Sequence, residues 1–262
     1  GFENAGVNWK EAWDEKGPNA FDVLRGMIEL MLNSRGWRLG TEAPRSRMRF
    51  FGWMIVQGPD KALSSVSFIA NELDMLSYDP FELDQDTIGK IKQNTAFIRQ
   101  KPDSRSSTLM LIANCLKLYS EAMDAKWNYQ CLLALWQIAE ELTLSRFFGG
   151  ESKTVASRLA RFGKNTELPG SGYRYTLRQV AKKRNDIVHK GIYGEVTNHD
   201  VNILKLACEQ ALGWLIREHK NLPTQSHLEM YYRFCDKGQS DFKAVRETID
   251  YIEEIERQQH NH

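Results

Sequence analysis

Between Tyr173 and Gly191 the chain carries Arg174, Arg178, Lys182, Lys183, Arg184 and Lys190 against one acid, Asp186, and the stretch finishes on His189. Projected on a helix at roughly 100° per residue, Tyr173, Leu177, Val180, Ala181, Ile187 and Val188 share an apolar stripe. Arg184 falls near its middle. A guanidinium turned toward a core is costly unless a carboxylate pairs with it or it reaches into a cleft, so its position asks for a partner or a site. The same projection gathers Arg174, Arg178, Lys182, Asn185 and His189 on one flank. Cations hold a phosphate, and a histidine, whose ordinary pKa lies closest to neutrality, moves protons; together they suit a phosphodiester. Lys183 and Lys190 complete the candidate phosphate-binding set. The competing structural reading is a buried helix-end ion pair with a C-capping histidine.

The partner of Arg184 is sought upstream. On a helix from Asn128 to Phe148, Glu140 projects among Leu133, Trp136 and Phe147, while Glu141 projects to the polar side with Gln137. Glu140 is therefore the expected inward carboxylate, supporting Arg184 from a packed neighbouring helix.

The elements that must hold these residues are mostly helices. Asp103 opens one whose Leu109, Ile112, Leu116, Tyr119 and Met123 recur at three- and four-residue spacing. Asn128 to Phe148 follows and stops at Gly149-Gly150. Ser152 to Phe162 ends at Gly163, then a turn-rich stretch holds Gly170-Ser171-Gly172, which has neither the third glycine nor the preceding strand of a dinucleotide fingerprint and is expected as a turn. Tyr173 to His189 closes at Gly191, and Asn198 to His219 stops before Pro223. Ser226 with Glu229 spells a capping box for a helix ending at Gly238, and Asp241 to Gln258 forms the last. Before residue 104 the pattern is mixed: a helix over Ala20 to Asn33, a strand over Arg47 to Val56, a helix from Asp60 toward Asp74, and Trp9, Trp13, Trp37 and Trp53, which read as core residues. The expected organisation is an N-terminal region of residues 1–103, possible as α+β, a helical domain of residues 104–219 and a helical extension of residues 220–262.

A formal net charge of +1 leaves no global field to draw the molecule to nucleic acid or membrane, so attraction must come from local clusters. Cys115, Cys131, Cys208 and Cys235 are far apart and read as free thiols of a reducing compartment, so the cytoplasm is expected. No segment has the length and hydropathy of a membrane span, and the first residues lack the order of a signal peptide. The chain begins on Gly1, as a processed chain or a piece of a longer one would. His260-Asn261-His262 reads as a frayed tail, and no His, Asp, Glu or Cys cluster has metal-ligand spacing, so no metal or cofactor is expected.

The run Arg184-Asn185-Asp186-Ile187-Val188-His189-Lys190-Gly191 resembles the R-x4-6-H signature of HEPN domains, including the polar residue after the arginine and the closing glycine. LKLYSEAMDAKWNYQCLLALWQIAEEL, with Trp136, Glu140 and Leu142, is similar to the two long helices of the Apea-like HEPN branch, and VASRLARF to the short arginine-bearing helix that follows there. The likeness spans about Ser104 to His219. It implies a mainly α, up-and-down domain that dimerises so that two motifs face one cleft, and in active members a metal-independent ribonuclease of defence (phage defence included), toxin or RNA-processing systems. By that likeness the ribose 2′-OH attacks the adjacent phosphate, His189 handles protons, Arg184 stabilises the phosphorane and Asn185 orients one of them. Other members only bind RNA, nucleotide or a regulatory protein partner. A further branch has tyrosine two residues after the histidine; Gly191 stands there here, and Tyr193 follows later.

Overall fold

The computed structural model describes residues 22–31, 52–57, 63–69, 85–96, 106–145, 151–163, 170–236 and 246–251. The fold is mainly α. In chain order the elements are α1 (22–31), β1 (Gly52–Gln57), β2 (Leu63–Ile69), α2 (Gln85–Asn94), α3 (Ser107–Asp124), α4 (Asn128–Leu142), α5 (Ser152–Leu159, continued by a 3-10 turn over Ala160–Phe162), α6 (Gly170–Lys190), α7 (Asn198–Glu218), α8 (Gln225–Asp236) and α9 (246–251).

 The short helix α5 thus runs Ser152–Leu159 before its 3-10 turn.

The helices pack because each buries an apolar face. Leu109, Ile112, Leu116, Tyr119 and Met123 of α3 are all buried, as their spacing predicts. The helix begins later than Asp103, because Ser106 is its N-cap and its Oγ accepts from Leu109 N at 3.2 Å. A three-residue connection turns α3 back along α4, and α4 contacts α3, α5, α6 and α7, so it lies at the centre of the bundle. Its Leu132, Leu135, Trp136, Ile138 and Ala139 are buried. Although α1 precedes residue 104, its Val23, Met27 and Leu30 join the same core. Gly26 permits that approach: a Cβ there would lie 1.9 Å from the Leu116 carbonyl oxygen. Arg25 then binds Asp124 at the end of α3, with Nη1 donating to Oδ2 at 2.5 Å. Leu228 and Tyr232 of α8 close the other side, the Tyr232 hydroxyl donating to the Leu142 carbonyl at 2.7 Å.

Several boundaries differ from the sequence pattern. The helix α4 stops at Leu142 rather than Phe148. Leu144 N donates to the Glu141 carbonyl at 3.1 Å and Ser145 N to the Glu140 carbonyl at 3.0 Å, the paired bonds of a Schellman cap. Leu144 occupies the left-handed position at φ 53, where glycine is usual, and its fully buried side chain offsets the strain. Gly170-Ser171-Gly172, expected as a turn, forms the first turn of α6. At α8 the capping oxygen is that of Thr224, which accepts from His227 N at 3.4 Å, instead of Ser226.

Before residue 104, β1 pairs with β2 antiparallel, Trp53 opposite Phe68 and Ile55 opposite Val66. The strand expected over Arg47 to Val56 is present as Gly52–Gln57, whereas the helix expected from Asp60 is a strand over Leu63–Ile69. Val66, Phe68 and Ile69 are strand-favouring residue types, and pairing with β1 supplies the backbone bonds that a helix would have made internally. Trp9, Trp13, Trp37, Phe147, Phe148, Gly149, Gly150, Gly238 and the His260 to His262 tail lie outside the described residues; of the expected last helix, 246–251 is helical. No helix among the described residues is long and apolar enough to cross a membrane. Cys115, Cys131 and Cys208 are buried free thiols and Cys235 is a half-buried one.

Candidate functional site

The helix α6 forms because Tyr173, Leu177, Val180, Ala181 and Ile187 bury one stripe against α4, α5 and α7. Val188, projected onto that stripe, is instead 51% exposed, because the helix is ending and its last turn leaves the bundle. Arg184 reaches the edge of the stripe, and its side chain keeps 22% of its surface exposed.

Its surroundings hold it at two nitrogens. Arg184 Nη2 donates to Glu140 Oε1 at 3.1 Å, and Nη1 donates to Asn185 Oδ1 at 3.2 Å. Each acceptor is fixed in turn. Trp136 Nε1 donates to the same Glu140 oxygen at 2.8 Å, and Ser152 Oγ at the start of α5 donates to Asn185 Oδ1 at 3.3 Å. The guanidinium carbon lies 6.0 Å from the centroid of the buried Trp136 ring. The Schellman cap below Glu140 fixes the backbone from which that carboxylate projects. A guanidinium has five N–H donors, so these two bonds leave others on its exposed edge for an anion.

The pairing of Arg184 with Glu140 is therefore present, but the expected burial of the two neighbouring glutamates is reversed. The Glu140 side chain is 28% exposed, and Glu141, projected to the polar side, is 6% exposed. The cause is the central place of α4. With neighbours on several sides it has no broad solvent face, so Glu141 points into the core near Cys115, whose thiol is pushed up by burial and then by the Glu141 charge.

The flank residues are open. Arg174, Arg178, Lys182 and His189 are exposed and Asn185 is half-buried. Successive members of the Arg174, Arg178, Lys182 row are about 6 Å apart along the axis, from a rise of 1.5 Å per residue. No ion pair engages these three cations among the described residues. His189 also makes no hydrogen bond there, and none links it to Arg184. On an ideal helix it stands about 7.5 Å further along the axis.

The remaining lysines are differently placed. Lys183 turns away from the row, its Nζ donating to Asp200 Oδ2 at 2.7 Å and to the Glu195 carbonyl at 3.1 Å. This commits it to the connection between α6 and α7. Burial acts to raise the Asp200 pKa, but the Lys183 and Thr197 bonds outweigh it and hold the carboxyl below its usual value. Lys190 pairs with Asp186 at 2.7 Å across one helical turn and stays well exposed. That bond, against a smaller desolvation, lowers the Asp186 pKa.

Sequence reasoning missed two parts of this arrangement. Ser152 carried no signal beyond being a serine at a helix start. Asp200 was legible as the last residue of Thr197-x-x-Asp200, which forms a capping box and binds Lys183 as well. Among the described residues no three His, Cys, Asp or Glu side chains gather as a metal site would require. Comparison of the chain with protein-family models, curated proteins and solved structures found no match.

Proposed function

We propose that the chain carries a HEPN-type site that cleaves RNA without a metal ion. The observation that supports this reading best is the restraint of Arg184. Glu140 and Asn185 hold the guanidinium at a fixed angle, beside exposed His189 and the open row of Arg174, Arg178 and Lys182. A held cation costs little reorganisation when charge develops on a phosphorane, and an exposed imidazole is free to exchange protons with substrate. In the proposed reaction the ribose 2′ oxygen attacks phosphorus and loses its proton to a histidine, while the 5′ oxygen leaves and is protonated. The products are a 2′,3′-cyclic phosphate and a 5′-OH.

Base and acid are two tasks, and one motif supplies one histidine. The reading therefore includes a homodimer in which the second copy provides the other His189. Lys183 leaves the proposed RNA-binding set, since its ammonium is already committed to Asp200. Lys190 retains an exposed charge for a flanking phosphate despite its bond to Asp186.

Incubation of purified protein with mixed RNA in EDTA tests the proposal. Fragments ending in cyclic phosphate are expected from the wild type and absent with His189→Ala, which should bind RNA almost as tightly. Cleavage that needs a divalent ion, or that persists in His189→Ala, overturns the mechanism. A second reading, a non-catalytic module that binds RNA, nucleotide or a protein, is favoured by the absence of any described hydrogen bond between His189 and Arg184. RNA binding by the wild type without cleavage would select it.

A further inference from the structure

The connection after α6 is tied down along its length. Gly191 ends the helix at φ 67, its N–H donating to the Ile187 carbonyl at 3.0 Å, and Ile192 N donates to the Asp186 carbonyl at 3.3 Å. Lys183 Nζ holds the Glu195 carbonyl at 3.1 Å. From α4, Asn128 Nδ2 reaches the Val196 carbonyl at 3.5 Å and Asn198 Oδ1 at 2.8 Å. These bonds bring the start of α4 against the connection. The Tyr193 and Tyr129 rings meet there with centroids 4.9 Å apart and planes at 59°.

This held structure displays aromatic surface. Tyr193 is 52% exposed and Trp127, two residues before Tyr129, is 55% exposed. Burying the Tyr193 ring would be favourable, so a connection tied down with that ring in water needs an explanation beyond packing. Lys126 Nζ stands 5.6 Å from the Trp127 ring centroid, and Lys190 lies three residues before Tyr193. The acids beside Lys190 are Asp186, bonded to it, and Glu195; Asp124, three residues before Trp127, is bonded to Arg25.

We propose that Tyr193, braced by Tyr129, is a platform on which a nucleobase of a single-stranded RNA stacks beside the His189 site, with exposed Trp127, two residues before Tyr129, as a second stacking ring. The inference rests on the RNA reading above and adds a contact that the cation row cannot make. Phosphate contacts position a strand, whereas rings recognise the π-face of a base. The four residues from His189 to Tyr193 span at most about 14 Å. At about 3.4 Å per stacked nucleotide, the stacked base lies within roughly four nucleotides of the scissile phosphate. Rings flanked by lysines fit an anionic strand that carries aromatic bases.

Fluorescence anisotropy of the full chain with labelled oligouridine, and with an abasic strand of equal phosphate number, tests the platform. The expected result is binding of the base-bearing strand roughly tenfold tighter, a difference that shrinks several-fold in Tyr193→Leu and in Trp127→Leu and survives in Tyr193→Phe. The slope of affinity against salt should stay unchanged, because no phosphate contact is lost. Equal wild-type affinity for both strands, with a normal salt slope, would leave the RNA reading intact and overturn the platform. Binding of neither strand would overturn both. Loss of self-association in the leucine variants, with base preference unchanged, would assign the rings to a second copy and overturn the stacking role.

Discussion

Among the charge networks of the described residues, the one around Glu209 and the one around Arg184 differ in how far water reaches them. In α7, Lys205 Nζ lies 2.5 Å from Glu209 Oε1, and the buried Tyr119 hydroxyl of α3 donates to the same oxygen. The Lys205 and Glu209 side chains are only 6% and 3% exposed. The Arg184 and Glu140 side chains are 22% and 28% exposed. In the sealed network both donors meet on Glu209 Oε1, which joins α3 to α7, while Oε2 is buried without a hydrogen bond among the described residues. The open network is fixed on its inner side by Trp136 and Asn185 and keeps an outer edge in water. Similar pairs of charges thus differ in their access to solvent: one is enclosed by packing, and the other keeps the open edge that the proposed site requires.

The largest expected effect comes from breaking the sealed pair. Glu209→Ala strands the Lys205 ammonium in the core and removes the acceptor of Tyr119, which should cost about 3–5 kcal/mol. Replacing both charges with apolar residues, Lys205→Met with Glu209→Leu, should recover most of that loss. Urea midpoints of the single and double variants read both effects. A small loss in the single variant would show that water reaches the pair and would erase the contrast with Arg184.

Next in size is a comparison within α4. Glu141→Ala should destabilise by about 2–3 kcal/mol, because it empties a core position, while Glu140→Ala should cost about 1 kcal/mol after allowance for solvent screening. Glu140→Ala should nevertheless be the more damaging to the proposed RNA cleavage, since it frees Arg184. Melts and turnover of the two variants should therefore rank in opposite orders; the same order in both would mean that the two carboxylates do one job.

That pair also shows what the sequence could convey. The partner of Arg184 was legible because an arginine on an apolar stripe needs a carboxylate, and Glu140 offered one on a helix that could pack nearby. The inward direction of Glu141 was not, because a wheel separates polar from apolar faces and α4 is covered by α3, α5, α6 and α7. The early stop of α4 was hidden for a related reason: its left-handed cap uses Leu144, secured by burial, where a sequence reading looks for glycine. Lys183 looked like its exposed neighbours until tertiary structure brought Asp200 to it. Helix periods depend on local spacing and could be read; these three features depend on which helices meet.

A smaller effect is expected at the tie between α6 and α7. Asp200→Ala removes one half of a capping box and the anchor of Lys183, at a cost of about 1–2 kcal/mol at neutral pH. Because the folded pKa of Asp200 is lowered, its contribution is full above the unfolded value near 3.9 and is lost as pH falls through the folded value. The stability gap between wild type and Asp200→Ala should therefore close below about pH 4. A gap that stays constant into acid would trace the loss to helix packing rather than to the carboxylate.

The smallest expected change in stability belongs to the open row. Arg178 and Lys182 are exposed and have no ion-pair partner among the described residues, so Arg178→Ala with Lys182→Ala should shift folding by under about 0.5 kcal/mol. Their loss should be felt by the ligand instead. Each phosphate contact removed lowers the log–log salt slope of single-strand binding by about 0.7, so the double variant should bind RNA more weakly and with a flatter salt dependence. Arg184 and His189 are untouched, so cleavage should return toward the wild-type rate once RNA is raised to saturation. That outcome would place the row in capture and the held arginine in chemistry. An unchanged salt slope would mean that the strand does not follow this face of α6, and the open network would then need another ligand to account for its exposed edge.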